Sequence, residues 1–169
     1  MKPVFLTGFM GTGKTTVGTM LAERLVWEFV DLDSYIVEVA GASIPEIFSE
    51  QGEGCFRDLE TAALRRFTNT DKVVVSTGGG AVIRQDNRSY IHEIGYLVNL
   101  TASHDSIMSR LEGDATRPLL AEADRSGRIA ELIAEREQFY MQSDVRIDTT
   151  GKAPTEIVDE ILVWLKARG

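Results

Sequence analysis

Short apolar runs alternate along the chain with longer segments in which apolar residues recur every three or four positions. The runs that predict strands are Val4 to Leu6, Phe29 to Leu32, Lys72 to Val75, Tyr96 to Leu100 and Val145 to Ile147. Helical spacing is clearest at Val17, Met20, Leu21 and Leu25, and again at Ile157, Val158, Ile161, Leu162 and Leu165. This alternation predicts βαβ units, a parallel sheet covered by helices on both faces, and ligands at the carboxyl ends of the strands.

The composition is that of one globular domain. A chain of 169 residues with 43% hydrophobic content can bury a core but is too short for two ordinary domains, so we take residues 1–169 as a single domain and expect a monomer. Lys and Arg number 18 against 26 Asp and Glu, and the formal net charge of -8 disfavours nucleic acid and anionic membranes as partners. Any anionic ligand must then meet locally placed cations.

The first residues contain no apolar run long enough for a signal peptide, and no segment approaches the ~18 apolar residues of a membrane span. Cys55 is the single cysteine of the sequence, which excludes an internal disulfide. These features predict a cytoplasmic protein.

The segment GFMGTGKTTVG, residues 8 to 18, lies between a predicted strand and a predicted helix and matches the phosphate-binding pattern G-x-x-x-x-G-K-[ST]. Glycines let the backbone wrap around phosphates, while Lys14 reaches the β- and γ-phosphates and Thr15 offers its hydroxyl to Mg²⁺. The residues expected around the nucleotide phosphates are Gly11, Thr12, Gly13, Lys14, Thr15 and Thr16. The alternative is a glycine-rich turn without a ligand.

Asp31 and Asp33 leave the end of the second predicted strand two residues apart, so the strand period places them on the same side. The third strand ends in Ser76 and Thr77, where many P-loop proteins carry a metal-organising aspartate. We therefore expect Asp31 to serve the metal and Asp33 to hydrogen-bond or deprotonate an acceptor hydroxyl. The alternative is that both aspartates are solvated helix caps.

Three consecutive glycines, Gly78 to Gly80, follow the third strand, and their lack of side chains allows the backbone to approach a small molecule. A flexible turn explains the same residues. Arg57 stands four residues after Glu53 and three before Glu60, so ion pairing on a helix surface is one interpretation of it.

Arg136 shares its predicted helix face with Leu132, Ile133, Phe139 and Tyr140. Burial of an unpaired guanidinium is costly, so an arginine on an apolar face usually meets an anion. The alternative is an arginine that reaches solvent along its aliphatic stem.

Residues 112–127, EGDATRPLLAEADRSG, match neither a strand nor a clear helix and predict a mobile lid. Arg117 lies within it beside Pro118, which stiffens the backbone. A lid arginine could close over the γ-phosphate and cancel charge on the transferred group. A solvated loop charge is the alternative.

Together these motifs resemble the shikimate kinase family. The likeness joins GFMGTGKTTVG, FVDLDSYI, GASIPEIFSEQGEGCFRDLE, STGGGAV, TRPLL and AEREQFY in one order over essentially the whole chain. It implies a nucleoside-monophosphate-kinase-like fold: a three-layer α/β/α P-loop kinase with a five-stranded parallel sheet, a mobile lid and a small helical substrate-binding subdomain. It also implies transfer of the ATP γ-phosphate to the 3-hydroxyl of shikimate in aromatic amino-acid biosynthesis.

By position, the resemblance implies shikimate contacts at Asp33, Arg57, Gly79 and Arg136, in a binding subdomain spanning 33–60. We expect Gly78 and Gly80 to join them, because they flank Gly79 in the glycine loop. Catalysis is expected from Lys14 and Arg117, which neutralise the transferred group, and from Asp33, which orients the hydroxyl and accepts its proton. Mg²⁺ is expected on Thr15, with help from Asp31.

The nucleotide side is less sharply defined, with Arg110 ahead of the lid, Arg117 in the lid and Lys152 near the C-terminus as candidate contacts.

Three other functions remain open. One is another small-molecule kinase of this fold, such as a gluconate kinase. The second, a GTPase switch, is disfavoured because the chain has no N-K-x-D motif, and the third is a P-loop protein that binds ATP without using it.

Overall fold

In the computed structural model, which describes residues 1–112 and 124–169, five strands alternate with seven helices. In chain order the elements are β1 (Val4–Thr7), α1 (Lys14–Leu25), β2 (Glu28–Asp31), α2 (Leu32–Ala40), α3 (Ile44–Arg65), β3 (Val73–Ser76), α4 (Gln85–Ile94), β4 (Tyr96–Thr101), α5 (His104–Leu111), α6 (Arg125–Tyr140), β5 (Val145–Asp148) and α7 (Pro154–Lys166). All five predicted strands are present, with ends that shift by about one residue.

The five strands form one parallel sheet in the order β2-β3-β1-β4-β5. β1 therefore lies in the centre, between β3 and β4, and the register pairs Leu6 with Ser76 and with Val98. Because the strands are parallel, the loops that follow β1, β2 and β3 meet at one edge of the sheet. The predicted parallel α/β architecture is confirmed.

Alternate residues of each strand pack against opposite helical layers. In β1, Phe5 joins a core with residues from α2 to α6, whereas Val4 and Leu6 join a second core with α1 and α7. The stripes predicted for α1 and α7 face this second core. The fold is thus a three-layer α/β/α sandwich. Within the described residues, no helix is long and apolar enough to cross a bilayer.

Two local features set the helices beside the ligand edge. Asp31 caps α2, since its side chain accepts a hydrogen bond from the Ser34 N–H at 3.0 Å. α3 bends sharply at Gly52, whose φ of 82° is readily adopted by glycine. The bend divides α3 into two halves, and residues from both halves line the cleft described below.

The predicted lid lies mostly outside the described residues. Its last part is helical, because α6 begins at Arg125 and Asp124 caps it by accepting a hydrogen bond from the Gly127 N–H at 3.0 Å. The sequence interpretation of residues 125–127 as irregular was therefore wrong, and local capping explains why the helix starts there.

Candidate active site

A cleft of about 640 Å³ opens at the carboxyl ends of β1, β2 and β3. Its polar lining comes from the P-loop, from the start of α2, from α3, from the β3–α4 loop and from α6. The predicted site residues that line it are Gly11, Gly13, Lys14, Thr15, Thr16, Asp31, Asp33, Arg57, Gly78, Gly79, Gly80 and Arg136. Residues far apart in the chain therefore meet in one cavity, which has the size typical of a small-molecule site.

The P-loop joins β1 to α1 as its motif predicts. Gly8 has a φ of 149°, and a methyl group there would overlap the carbonyl oxygen of Leu100. Gly13 caps α1 with a φ of 94° and no side-chain cap, which leaves the helix N-terminus open to an anion. The Lys14 ammonium donates to the carbonyl oxygens of Gly8 at 2.8 Å and Phe9 at 3.1 Å. The side chain of Lys14 thus folds back over the P-loop and is held there by two backbone carbonyls.

Thr15 and Asp31 form the candidate metal site. The Thr15 hydroxyl donates to Asp31 Oδ2 at 3.0 Å, while Asp31 Oδ1 caps α2. Both sequence interpretations of Asp31 are therefore compatible, because one carboxylate oxygen serves the helix and the other faces the P-loop. Among the described residues there is no group of three or more acidic, His or Cys side chains suited to a metal. One hydroxyl and one carboxylate, completed by phosphate oxygens and water, suit Mg²⁺.

Glu60 is a buried carboxylate of the site that the sequence analysis treated only as a helix-surface partner of Arg57. It is 0% exposed, and its Oε2 accepts a hydrogen bond from Arg57 Nη1 at 2.6 Å. Burial raises the pKa of the Glu60 carboxyl to about 7, with Asp33 adding to the rise while Arg57 and Arg136 lower it. Four charged groups from α2, α3 and α6 are therefore coupled at one end of the cleft.

Arg57 is much less exposed than a helix-surface ion pair would require, since 11% of its side chain is accessible. It pairs with Glu53 at 3.1 Å as well as with Glu60. Burial acts to lower the pKa of Arg57, but the two carboxylates outweigh it and raise that pKa. Arg57 thus stays charged while it lines the cleft.

The first glycine of the β3–α4 loop packs against the acidic side chains. A methyl group at Gly78 would lie 2.7 Å from Glu60 Oε1 and 2.9 Å from Asp33 Oδ1. From the sequence alone, glycine is expected here because it lets the backbone approach a small molecule. The structure adds another reason, because the missing side chain also makes room for the protein's own carboxylates.

The other two glycines pack against the arginines. A methyl group at Gly79 would lie 3.3 Å from Arg136 Nη1 and 3.3 Å from the Tyr140 hydroxyl, and one at Gly80 would overlap the Arg57 guanidinium. The charged groups of the cleft therefore pack directly against the backbone of the three glycines, where a larger residue would collide with them.

Arg136 is buried on the inner face of α6, with 6% exposure, as its helical spacing predicted. Its guanidinium lies 5.6 Å from the centroid of the Phe9 ring. The ion pairs formed within the described parts of the chain do not include it. Since an uncompensated buried charge is costly, a buried cation beside an open cleft is a candidate binding site for an anion.

Four predicted site residues do not line the cleft within the described structure. Thr12 is buried behind the P-loop and donates to the Phe9 carbonyl at 2.8 Å. Arg110 donates to the Gly11 carbonyl at 3.0 Å and to Thr149, and so braces the P-loop from α5. Lys152 pairs with Glu160 at 2.7 Å. Arg117 lies outside the described residues.

Besides Glu60, the sequence analysis did not identify the apolar wall formed by Val37, Ile44, Pro45, Phe48 and Phe56. These residues belong to α2 and α3, where apolar spacing is equally typical of core packing. Only the packing of α2 and α3 around the cavity shows that they face a cleft.

Comparison with known proteins points to one family. A family model for shikimate kinase matches residues 10–166. Shikimate kinase of Geobacter metallireducens is 52% identical over 99% of this chain and 94% of its own length. The corresponding protein of Gloeobacter violaceus is 44% identical over 98% of this chain and 93% of its own length.

Solved structures give the same result. Shikimate kinase from Acinetobacter baumannii in complex with shikimate matches with a TM-score of 0.94 and 35% identity, over 99% of this chain and 95% of that one. A gluconokinase from Sinorhizobium meliloti matches with a TM-score of 0.60 and 18% identity, over 98% and 92% of the two chains. At that identity the gluconokinase likeness shows the fold alone.

Proposed function

The chain belongs to the shikimate kinase family and transfers the γ-phosphate of ATP to the 3-hydroxyl of shikimate, and we propose that the two ends of its cleft hold the two substrates. The observation that carries this assignment is the meeting of a P-loop with the buried Arg136 and the largely covered Arg57 in one cavity. The P-loop suits a nucleotide, and the arginines suit the carboxylate of a small hydroxy acid.

At the nucleotide end, the P-loop backbone from Gly11 to Thr16 surrounds the phosphates and the Lys14 ammonium neutralises the γ-phosphoryl group. Two observations support this role: Lys14 lines the cleft, and its bonds to the carbonyls of Gly8 and Phe9 hold the ammonium at the P-loop. Thr15 and Asp31 would hold Mg²⁺, for which their 3.0 Å pairing is suitable. When bound, the ion supplies positive charge that offsets the phosphate oxygens.

At the acceptor end, Arg57 and Arg136 hold the shikimate carboxylate, and the backbone of Gly78 to Gly80 contacts the ring hydroxyls. Asp33 orients the 3-hydroxyl and accepts its proton as the oxygen attacks phosphorus. Its position supports this role, because it lies at the start of α2, two residues beyond Asp31. Phosphoryl transfer depends mainly on positioning and electrostatics, so Asp33 acts through geometry at least as much as through basicity.

Two segments serve substrate access in this proposal. Residues 33–60 form the shikimate-binding subdomain, which α2 and the bent α3 support by lining one wall of the cleft. Residues 112–127 act as the lid, from which Arg117 reaches the phosphate. Arg110 and Lys152 serve the nucleotide side, Arg110 by bracing Gly11. We propose a cytoplasmic monomer that binds neither nucleic acid nor membranes.

A coupled ADP-release assay tests the assignment. Purified protein with Mg-ATP is supplied in turn with shikimate, gluconate and a nucleoside monophosphate, and ³¹P NMR locates the phosphate on the product. We expect stoichiometric ADP and a 3-phosphate with shikimate alone. Equal turnover of gluconate or of the nucleotide would overturn the substrate, and ATP binding without turnover would overturn the reaction.

A further inference from the structure

The carbonyls of the three glycines in the loop between β3 and α4 all accept hydrogen bonds from the protein. The Gly78 and Gly80 carbonyls accept from the N–H groups of Ala81 and Ile83, both at 3.1 Å. The Gly79 carbonyl accepts from the Tyr140 hydroxyl at 2.8 Å. Each of the three glycine carbonyls therefore has a hydrogen-bond partner within the protein.

The following carbonyls are held by α4. Asn87 donates to the Ala81 carbonyl at 2.8 Å, and Arg88 Nη1 donates to Val82 at 2.7 Å and to Ile83 at 2.8 Å. Asn87 and Arg88 are 2% and 8% exposed, so these bonds are sheltered from water. Buried hydrogen bonds from a charged guanidinium are stronger than those between neutral groups, so they fix the backbone at Val82 and Ile83.

Tyr140 controls the direction of one peptide group at the cleft. A trans peptide is planar, so the N–H of Gly80 points away from the carbonyl of Gly79. Since the Tyr140 hydroxyl captures that carbonyl, the Gly80 N–H is directed to the opposite side. Tyr140 lies four residues after Arg136 on the same buried face of α6. One helix thus presents a cation to the cleft and also orients the adjacent backbone.

Arg88 joins the same loop to the end of α6. Its Nε donates to the Gln142 side chain at 2.9 Å, and its guanidinium lies 5.1 Å from the centroid of the Phe139 ring. The loop is therefore tied to α6 at Gly79 through Tyr140, and at Val82 and Ile83 through Arg88.

We propose that Tyr140 and Arg88 are positioning residues for the acceptor substrate, which lock the glycine loop in register with Arg136 so that the loop N–H groups and the guanidinium bind one molecule together. This proposal rests on the proposed function and adds two residues to it. Burial raises the pKa of the Tyr140 hydroxyl although Arg136 lowers it, so the hydroxyl keeps its proton and remains a donor.

Tyr140→Phe removes the hydroxyl and keeps the ring. We expect the KM for shikimate to rise about three- to tenfold, the effect of one lost hydrogen bond, while the KM for ATP keeps its wild-type value. Tyr90→Phe is the matched control, because Tyr90 is also buried but its hydroxyl bonds Thr68 at 2.5 Å, whereas that of Tyr140 bonds the glycine loop. Unchanged shikimate KM in Tyr140→Phe, or an equal rise for both substrates or in the control, would overturn the proposal.

Amide hydrogen exchange of residues 78–83 gives a readout that needs no substrate. Exchange should become faster in Tyr140→Phe and in Arg88→Met, and Arg88→Lys should restore part of the protection because it keeps one charged donor. Wild-type exchange rates in Tyr140→Phe would overturn the proposed positioning role, even if Arg88→Met failed to fold. A wild-type protein inactive on shikimate would instead overturn the proposed function, and the exchange rates would still decide whether the loop is locked.

Discussion

Arg57 and Glu60 form a buried ion pair with 2.6 Å between Nη1 and Oε2, although they lie one turn apart on a helix where an exposed pair is usual. Glu60 is fully buried and also faces Asp33 beside Gly78. The carboxyl therefore carries an unfavourable charge whose cost depends on pH.

Glu60→Gln should change how stability depends on pH. The folded pKa of about 7 lies above the ordinary 4.5, so the stabilisation from protonated Glu60 is complete below pH 4.5 and is lost as pH rises to 7. The unfolding free energy of wild type minus that of Glu60→Gln should fall by about 3 kcal/mol over this range. Urea unfolding at several pH values measures the difference, and a flat difference would contradict the prediction.

Shikimate binding should draw a proton onto Glu60. Arg57 and Arg136 lower the Glu60 pKa in the free protein, and a bound carboxylate would offset both charges and raise that pKa further. Calorimetric titrations near pH 7.5, in buffers that differ in ionisation enthalpy, measure the protons taken up. We expect net uptake in wild type and much less in Glu60→Gln. Equal uptake in both proteins would assign the proton to another group.

Lys14→Ala should lower kcat by about 100-fold or more, because it removes the cation expected on the transferred group. The fold should survive, since the Lys14 ammonium bonds backbone carbonyls of the P-loop, at Gly8 and Phe9. Steady-state kinetics and circular dichroism test the two halves. Lys166→Ala serves as control, since Lys166 ends α7 and does not line the cleft. Wild-type activity in Lys14→Ala would remove the P-loop from the mechanism.

Arg136→Ala should weaken shikimate binding by ~2–5 kcal/mol, the range for truncating one partner of a buried charge pair, with little change for ATP. The ligand-free protein should keep or gain stability, because a buried cation is removed. Calorimetry with each ligand separately provides the test. Arg128→Ala is the control on the same helix, where Arg128 pairs with Glu131 at 3.4 Å. An equal loss of affinity for shikimate and for ATP would contradict the prediction and indicate that Arg136 is structural.

Gly80→Ala should raise the KM for shikimate, because the added methyl group overlaps the Arg57 guanidinium and displaces it. Gly54→Ala is the comparison within α3, since a methyl group there meets open space. That control should raise unfolding free energy by about 0.5–1 kcal/mol through helix propensity, with unchanged KM. Thermal unfolding and shikimate kinetics of both variants test these expectations. A wild-type KM in Gly80→Ala would contradict the prediction, because it would show that the loop moves to accommodate the methyl group without displacing Arg57.

Much of the site could be predicted from local sequence. The P-loop needs a strand, a glycine-rich turn and a helix in direct succession, and the sequence shows all three because an apolar run comes directly before GFMGTGKTTVG and helical spacing follows it. Asp31 and Asp33 were placed at a strand end because strands and caps depend on neighbouring residues. The burial of Arg136 followed from spacing alone, since a helix repeats every 3.6 residues.

The sequence by itself thus determined the order of strands and helices, the P-loop and the residues presented at each strand end. Only the tertiary structure decided which distant groups meet: Glu60 and Asp33 at Gly78, Arg136 and Tyr140 at Gly79, and Arg57 at Gly80. Such contacts depend on the sheet order, which places β3 beside β1, and on the bend at Gly52. Burial and pKa depend on all surrounding atoms, and so no local pattern could reveal that the pKa of Glu60 lies near 7.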